Sequence, residues 1–420
     1  MLNRSLPPPS YAVDHVNLIE AVPFKLDNGV PGHYINAGAQ PVIRLEFIFN
    51  AGKKYQQLPG VSYFTGKMLQ EGTATWNAKE LNSTFDNLGA FLEVVPGFDY
   101  ITVTIHHLTK HLQQLLPIIK EMLYQPLLGL EELNNLKQIK YQQLQVDLQR
   151  NNFVASRKFR KILFGEDHPY SGNLDLESIK TIQNQHIKTH YSQYMSGDYQ
   201  IIASGQISEA QIDFINKTLG EEPYNIIAAS PQNPIRYREQ EVLIEKEDSM
   251  QSSIRVGMPT ISRDHEDYWK LAVVNEILGG YFGSRLMKNI REEKGYTYGI
   301  HSALSHLNDH SMFFIGTEVK KAYRAHTIFE IHREIKKLQR ELISLEELQT
   351  VTNYMAGAFA SEVDSPFALA DKFKTLHFSG LNYSHYGDLF DTLKTITPHE
   401  VLEVARKYLD PQRFSSVVVG

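Results

Sequence analysis

Strand-like and helix-like segments follow one another in the same order twice along the 420-residue chain, and few folds accommodate such a duplication. Pro41–Asn50 (PVIRLEFIFN) alternates and is rich in β-formers, and Ser252–Met258 (SSIRVGM) has the same character in the second half. After the first run the pattern predicts a helix over Pro59–Glu71, closed by Gly72, with Pro59 near its first position. A second helix is expected from Asn77, where Glu80 completes a capping box, to Gly89. Phe91–Ile105 reads as two strands turned around Pro96-Gly97, and long helices are expected over Lys110–Tyr124 and Leu130–Phe164. The second half gives helices over Tyr268–Leu278 and Ser284–Lys294, then strands over Tyr296–Leu304 and Ser311–Gly316. Helices over Tyr323–Leu342 and Leu345–Glu362 follow. The repeated order predicts two α+β domains, each a sheet with helices on one face. Between them Gly220–Arg236 carries Pro223, Pro231 and Pro234 with little periodicity, as a linker does.

A chain of this length exceeds what a single hydrophobic core usually organises. The 42 Lys and Arg against 48 Asp and Glu leave a net charge of −6, which argues against a nucleic-acid binder with its basic face. There is no Cys, so disulfides, thiolate nucleophiles and Cys-ligated zinc are excluded. The absence fits a reducing cytosol. Residues 1–10 (MLNRSLPPPS) follow their one cation with prolines rather than an apolar core, so no secretory leader is expected. Apolar runs such as Val42–Asn50 are interrupted by Arg44 and Glu46, far short of a membrane span. The expectation is a soluble, cytoplasmic protein with neither nucleic-acid nor membrane partners.

Gly60–Thr73 reads GVSYFTGKMLQEGT. This segment resembles the inverted zinc motif of the pitrilysin/insulinase peptidases, in which His-x-x-Glu-His lies on a helix between a Gly and a Met-Leu…Gly-Thr tail. Two further runs support the likeness in order: His168-Pro169-Tyr170-Ser171-Gly172, and Ser284–Gly299 (SRLMKNIREEKGYTYG), similar to the family's Arg…Gly-x-x-Tyr segment. The resemblance implies an α+β fold of two homologous domains, each a mostly antiparallel sheet with helices packed on one face, as in pitrilysin and the processing peptidases. Residues 1–222 would form the N-terminal domain with a degenerate zinc motif, 223–236 the linker, and 237–420 the domain carrying an Arg/Tyr pair.

The departures from the motif fall on its chemistry. Tyr63, Gly66 and Lys67 stand where the family has its two His and its Glu. Positions 63 and 67 are one helical turn apart, the spacing that lets two imidazoles share a zinc. A protonated Lys offers three donors and no lone pair, and Gly66 leaves no base for a metal-bound water. The family's third ligand, a downstream Glu, falls near Leu144. No Glu occurs from Leu133 to Gly165, and the nearest carboxylate is Asp147. No cofactor is therefore expected on this chain; zinc is expected on a partner.

Arg291 and Tyr298 match the pair that, in the family, reaches across a closed chamber to the substrate and its developing oxyanion. Both groups donate hydrogen bonds, as a carbonyl under attack requires. A chain that keeps these donors and lacks the metal ligands resembles the non-catalytic subunit of the family's heterodimeric bacterial enzymes. The implied partner is a homologous subunit with an intact His-x-x-Glu-His motif, the implied substrate a short unfolded peptide. The alternative is a metal-free homodimeric binding or scaffold protein.

Other constellations are weaker. His186 and His190 have helical spacing but no accompanying Glu. His107/His111 and His306/His310 read as solvated pairs, and Gly279–Gly283 reads as a turn without the Lys-Ser/Thr of a phosphate loop. The basic cluster Arg157-Lys158-Phe159-Arg160-Lys161 is suited to an acidic peptide, but reads first as a solvated helix face.

Overall fold

The computed structural model describes residues 13–172, 174–224 and 233–420. The proline-rich opening and most of the expected linker lie outside the described residues.

Two mixed sheets carry the fold. The first is built from β1 (Val22–Lys25), β2 (Pro31–Asn36), β3 (Val42–Phe49), β4 (Phe91–Pro96), β5 (Ile101–Leu108) and β6 (Tyr199–Gly205), in the order β1-β2-β6-β3-β5-β4. The second uses β7 (Glu241–Ile244), β8 (Gln251–Thr260), β9 (Thr297–His306), β10 (Ser311–Lys320) and β11 (Ser415–Val419), in the order β7-β11-β8-β10-β9. Apart from the extra β1, the two orders superimpose strand for strand. Each sheet has one parallel pair, β2 with β6 and β7 with β11, and is otherwise antiparallel.

The helices of the first half are α1 (Val61–Met68), α2 (Ala78–Asn87), α3 (Leu112–Tyr124), α4 (Leu130–Gln149), α5 (Asn151–Phe164), α6 (Leu176–Thr181), α7 (Asn184–Tyr194) and α8 (Glu209–Leu219). Those of the second are α9 (Tyr268–Asn275), α10 (Arg324–Arg340), α11 (Leu345–Ser361), α12 (Pro366–Phe378), α13 (Ser384–Thr395) and α14 (Pro398–Tyr408). Among the described residues no helix is long and apolar enough to cross a membrane.

The expected capping box at Asn77 is present, with Glu80 returning to the Asn77 backbone. The helix expected from Pro59 instead starts one residue past Gly60, which caps it with a left-handed φ of 98°. That conformation is open to glycine and costly for a side chain. The single helix expected over Leu130–Phe164 is two. Arg150 is extended (φ −80°, ψ 124°) and separates α4 from α5. Lys246 from the second half donates to the freed carbonyl of Gln149 at 2.9 Å, a charged cap for a helix end.

That break carries α5 away from its own sheet. Alternation along β3 points Ile43, Leu45, Phe47 and Phe49 into a core shared with helices of the same half. Arg44, Glu46 and Ile48 face the other way, where α12 of the opposite half lands with Leu369, Ala370 and Phe373. The exchange is mutual. On the second sheet Ile254, Val256 and Met258 serve the local core, while α5 supplies Ala155, Phe159 and Leu163 to the other face against Met312, Val417 and Val419. Helices of each half thus pack on one face of its sheet, and a helix from the other half closes the second face.

The two charges that interrupt the apolar run of β3 are therefore buried, Arg44 at 7% and Glu46 at 3% exposure. Arg44 reaches Glu46 at 3.1 Å and Asp371 of α12 at 2.9 Å, and donates to the Phe367 carbonyl. Lys374 of α12 bridges Glu46 at 2.6 Å and Asp371 at 2.8 Å. Arg255 of β8 occupies the matching place on the second sheet and donates to Ser156 of α5 at 3.2 Å.

Removing one member of a buried network strands its partners. Arg44→Ala should cost about 3 kcal/mol of unfolding free energy, read as a lower urea midpoint at unchanged m-value. A loss below about 0.5 kcal/mol, typical of surface pairs, would mean the network does not hold α12 to the sheet.

Candidate functional site

Helix α1 lies against α7, α4 and β4 in the first half, and its residues pack with Leu133, Leu144, Ile179 and Ile187. Each position of the degenerate motif has acquired another occupation. The Lys67 ammonium donates to the Val94 carbonyl of β4 at 2.6 Å. Burial lowers its pKa, against the opposing pull of Glu93. Gly66 faces β4 and β5 so closely that a Cβ would stand 3.0 Å from Pro96 Cγ and 3.2 Å from Ile101 Cγ2. A side chain at 66 would require the Pro96 and Ile101 side chains to give by a few tenths of an ångström. Leu144 is 3% exposed and part of an apolar cluster. The Tyr63 ring sits edge-on to Phe64 and beneath the Lys140 ammonium, 4.7 Å from its centroid, and burial raises the phenol's pKa.

The residues at these positions do not fit a zinc ion. An ammonium, a glycine and a leucine supply no lone pair, and a protonated phenol is a poor ligand. No group of three or more His, Asp or Glu among the described residues is placed to hold a metal. The His186/His190 pair is engaged elsewhere. His186 Nδ1 accepts from the Gln183 N–H at the start of α7, while His190, 3% exposed, donates from Nε2 to the Ala51 carbonyl at 2.9 Å. Burial brings His190 down to about 4, so the ring stays neutral.

Next to the motif is a cavity of about 260 Å³ bordered by Tyr63 and Leu144, the first-ligand and third-ligand positions of the resemblance. Four cations border it as well: Lys53, Lys140, Arg157 and Arg160. No carboxylate is among its lining residues. Lys53 and Arg160 share one aromatic platform, with Nζ 4.2 Å and Cζ 4.7 Å from the Phe98 ring centroid, a contact that partly offsets their lost hydration. Neither makes a hydrogen bond or ion pair from its side chain to any described residue, and Arg160 Nη1 is buried without a partner. Burial first, then repulsion from Arg160 and Lys140, brings Lys53 down to about 8. Arg157 is also lowered by burial, with Asp175 and Glu166 pulling back.

The basic cluster on α5 is therefore split by the helix period. Lys158 and Lys161 face solvent and pair with Glu166 at 3.3 and 2.7 Å, as a solvated face should. Arg157 and Arg160 turn inward beside Phe153 and Ser156. The cue available in the sequence was that shared i, i+3, i+4, i+7 face; Lys53 and Lys140 carried none.

Arg291 and Tyr298 lie far along the chain from this cavity and do not border it. Arg291 belongs to the wide-wound helical segment Met287–Glu293, and its guanidinium lies 4.5 Å from the Phe282 ring centroid. Tyr298 is 93% exposed on edge strand β9. It sits in a β-bulge: Thr317 pairs with Ile300 and Val319 with Thr297, so Tyr298 and Gly299 oppose Glu318 alone. Thr297 Oγ1 donates to the Glu318 carbonyl at 2.7 Å and accepts from Gly299 N–H, fixing the bulge. Bulges re-aim side chains at sheet edges, and this one presents the phenol to solvent. No hydrogen bond joins Arg291 to Tyr298.

Four further histidines, His107, His168, His306 and His310, are engaged within the fold. His107 and His306 are not solvated as expected. His107 is 1% exposed and donates to the Leu108 carbonyl; burial brings half-buried His306 down to about 3. His168 and His310 both donate to the Asn233 carbonyl, at 2.9 and 2.7 Å. Within the same HPYSG run, Tyr170 is fully buried and donates to Asp99, whose carboxylate also takes the Asn308 N–H. That third motif is a staple between the halves.

Two family models match the chain, over residues 40–164 (Insulinase, peptidase family M16) and 181–355 (Peptidase M16 inactive domain). The chain belongs to the M16 family. It is 24% identical over 315 residues to the uncharacterised zinc protease YmxG of Bacillus subtilis, spanning 74% of this chain and 76% of that one. It is 22% identical over 317 residues to the non-peptidase homolog YmxG of Helicobacter pylori, spanning 71% and 70%. Among solved structures, the peptidase M16 inactive domain from Pseudomonas fluorescens matches with a TM-score of 0.86 at 23% identity, over 95% of this chain and 98% of that one. A protease from Helicobacter pylori matches equally, TM-score 0.86 at 16% identity, over 96% and 100%. These likenesses establish the M16 fold of two duplicated α+β halves.

Two outcomes follow from the site. Chain exposed to equimolar zinc and then dialysed should retain far less than one zinc per chain by elemental analysis; one equivalent lost on Tyr63→Phe would contradict the donor chemistry above. Between pH 8 and 10.5 Lys53 is neutral when folded and charged when unfolded. The unfolded chain then binds more protons, so this group makes stability rise with pH across that window. Lys53→Met should raise the urea midpoint at pH 7 and flatten that rise; a lower midpoint at pH 7 would show that the buried ammonium is paired.

Proposed function

We propose that this M16 chain is the non-catalytic subunit of a heterodimeric zinc endopeptidase. A homologous partner with an intact His-x-x-Glu-His motif would bind zinc and perform the attack, and the two subunits would enclose a chamber for short unfolded peptides. The observation that carries this reading is the presentation of Tyr298. A strand bulge held by Thr297 aims a phenol at solvent while the chain's own metal position holds only groups that cannot coordinate. The exposed phenol makes no hydrogen bond to any described residue of the subunit, as a donor used by another chain must not.

In that role Tyr298 and Arg291 act in trans. Phe282 props the guanidinium from one side and leaves its donors available, and the two groups would approach a peptide carbonyl at the partner's zinc. Donors already in place need no reorganisation as negative charge develops, which lowers the barrier by several kcal/mol. The substrate would add as a strand to a free edge, and both β4 and β9 are edge strands. The chamber is expected to work in the cytoplasm.

The second reading, a homodimeric binding or scaffold protein, draws on the name of the Helicobacter pylori relative, a non-peptidase homolog. The two separate on one experiment. The chain is mixed with a homologue carrying His-x-x-Glu-His, and cleavage of an unstructured quenched-fluorescence peptide is followed. The mixture should cleave and neither chain alone should do so. Tyr298→Phe and Arg291→Ala should each lower kcat by roughly 10²-fold without weakening co-purification. No cleavage by the mixture, or unchanged cleavage with both variants, would overturn the in-trans role; a chain that dimerises with itself and ignores the homologue would favour the scaffold.

A further inference from the structure

The cavity beside α1 borders two of the positions where the family's motif has metal ligands, and its lining is cationic. Where a dication would need lone pairs, Lys53, Lys140, Arg157 and Arg160 converge with no carboxylate among the lining residues. Half-buried cations without an ion-pair partner are costly, and folds usually replace them by apolar groups or neutralise them with an internal partner. Neither has happened here. Glu166 is within reach of α5, yet it pairs with the outward-facing Lys158 and Lys161. Arg160 Nη1 remains buried without a partner, and Lys53 and Arg160 rest on the Phe98 ring. An aromatic face holds a cation in place without satisfying its hydrogen-bond donors, so both head groups remain available to an incoming anion.

The other walls define what that anion must carry. Pro96, Leu144, Phe153 and Leu174 are apolar, and Tyr63 offers a ring face with a hydroxyl at its edge. An inorganic phosphate would bring acceptors on every side and meet donors on only part of this surface. A carboxylate attached to an apolar body matches both parts of the lining. Size narrows the choice further. An apolar cavity of about 150 Å³ takes benzene, so 260 Å³ accommodates a carboxylate with one apolar side chain. It falls short of the several hundred Å³ typical of sites for larger ligands.

We propose that this cavity binds the C-terminal carboxylate of a peptide ending in an apolar residue, with Lys53 and Arg160 as the principal anion-binding groups and Lys140 and Arg157 flanking them. The inference rests on the peptide-handling reading for the source of the ligand, though its binding event takes place on this chain alone. A peptide anchored by its end at this point would extend from α1 toward the neighbouring edge strand β4. The subunit would then select chains by their terminus, while chemistry occurs on the partner.

Isothermal titration on the full chain without any zinc-bearing partner tests this. The probes are a short unstructured peptide ending in leucine as the free acid, the same peptide amidated at its C-terminus, N-acetyl-leucine and inorganic phosphate. The free acid should bind, and amidation should weaken it about tenfold or more, the loss expected for a charge-assisted hydrogen bond. N-acetyl-leucine and phosphate should bind more weakly than the peptide acid. Lys53→Met and Arg160→Leu should each weaken the free acid by a similar factor without lowering the melting temperature, because each removes an unpaired buried charge. Two variants are used so that misfolding of one leaves the other informative. Equal binding of acid and amide, tighter binding of phosphate, no binding at all, or wild-type affinity in Lys53→Met would overturn the proposal. N-acetyl-leucine binding as tightly as the peptide would overturn the peptide source in favour of a free organic acid. None of these readings depends on cleavage, so the in-trans role stands or falls separately.

Discussion

The exchange of α5 and α12 between the two sheets underlies the rest of the molecule. A sheet with one face packed and the other bare would expose a large apolar surface or have to carry polar residues there. Here each second face is closed by a helix from the opposite half. The price is that β3 must bury Arg44 and Glu46, which it does by pairing them with Asp371 and Lys374 of the incoming helix. Such a network adds little net stability over an apolar contact, but its charges meet their partners only where α12 places Asp371 and Lys374 over Arg44 and Glu46. The Lys246 cap on α4, the Asn308–Asp99 bond and the shared Asn233 carbonyl extend the same joint between halves.

That joint also fixes the site. Helix α5 leaves α4 at the Arg150 break and reaches the second sheet with its apolar face, so Arg157 and Arg160 have to point back toward α1 and Phe98. The positive cavity is thus a by-product of the crossing until its unpaired donors are considered. A crossing helix could satisfy the same packing with leucine at both positions and would be more stable for it, as many functional sites would be. The presence of guanidinium groups there, with no carboxylate lining the cavity, is what gives it a chemical reading.

The sequence disclosed the duplicated order, the capping box at Asn77, the hairpin around Pro96-Gly97 and the M16 likeness, because each is written in local residue choice. The unsuitability of positions 63, 66, 67 and 144 for zinc was likewise legible from side-chain chemistry. What stayed hidden depends on contacts between distant segments. That Arg44 and Glu46, which interrupt the apolar run of β3, are buried is not written in the strand, because period-two alternation says which residues share a face but not what covers it. The basic run on α5 looked uniformly exposed, and only the placement of the helix across the molecule separates its two faces. His107 and His306 were misjudged for the same reason, since burial of a polar ring depends on a neighbour far away in the chain.

The left-handed turn at Gly60 has a bearing on how such a site can change its chemistry over time. Because the glycine, and not a side chain, sets the direction in which α1 leaves the preceding loop, the helix keeps its aim whatever stands on its inward turns. Helices with different residues on those turns can thus share one backbone path. The turn separates the course of the helix from the charge its inward face displays.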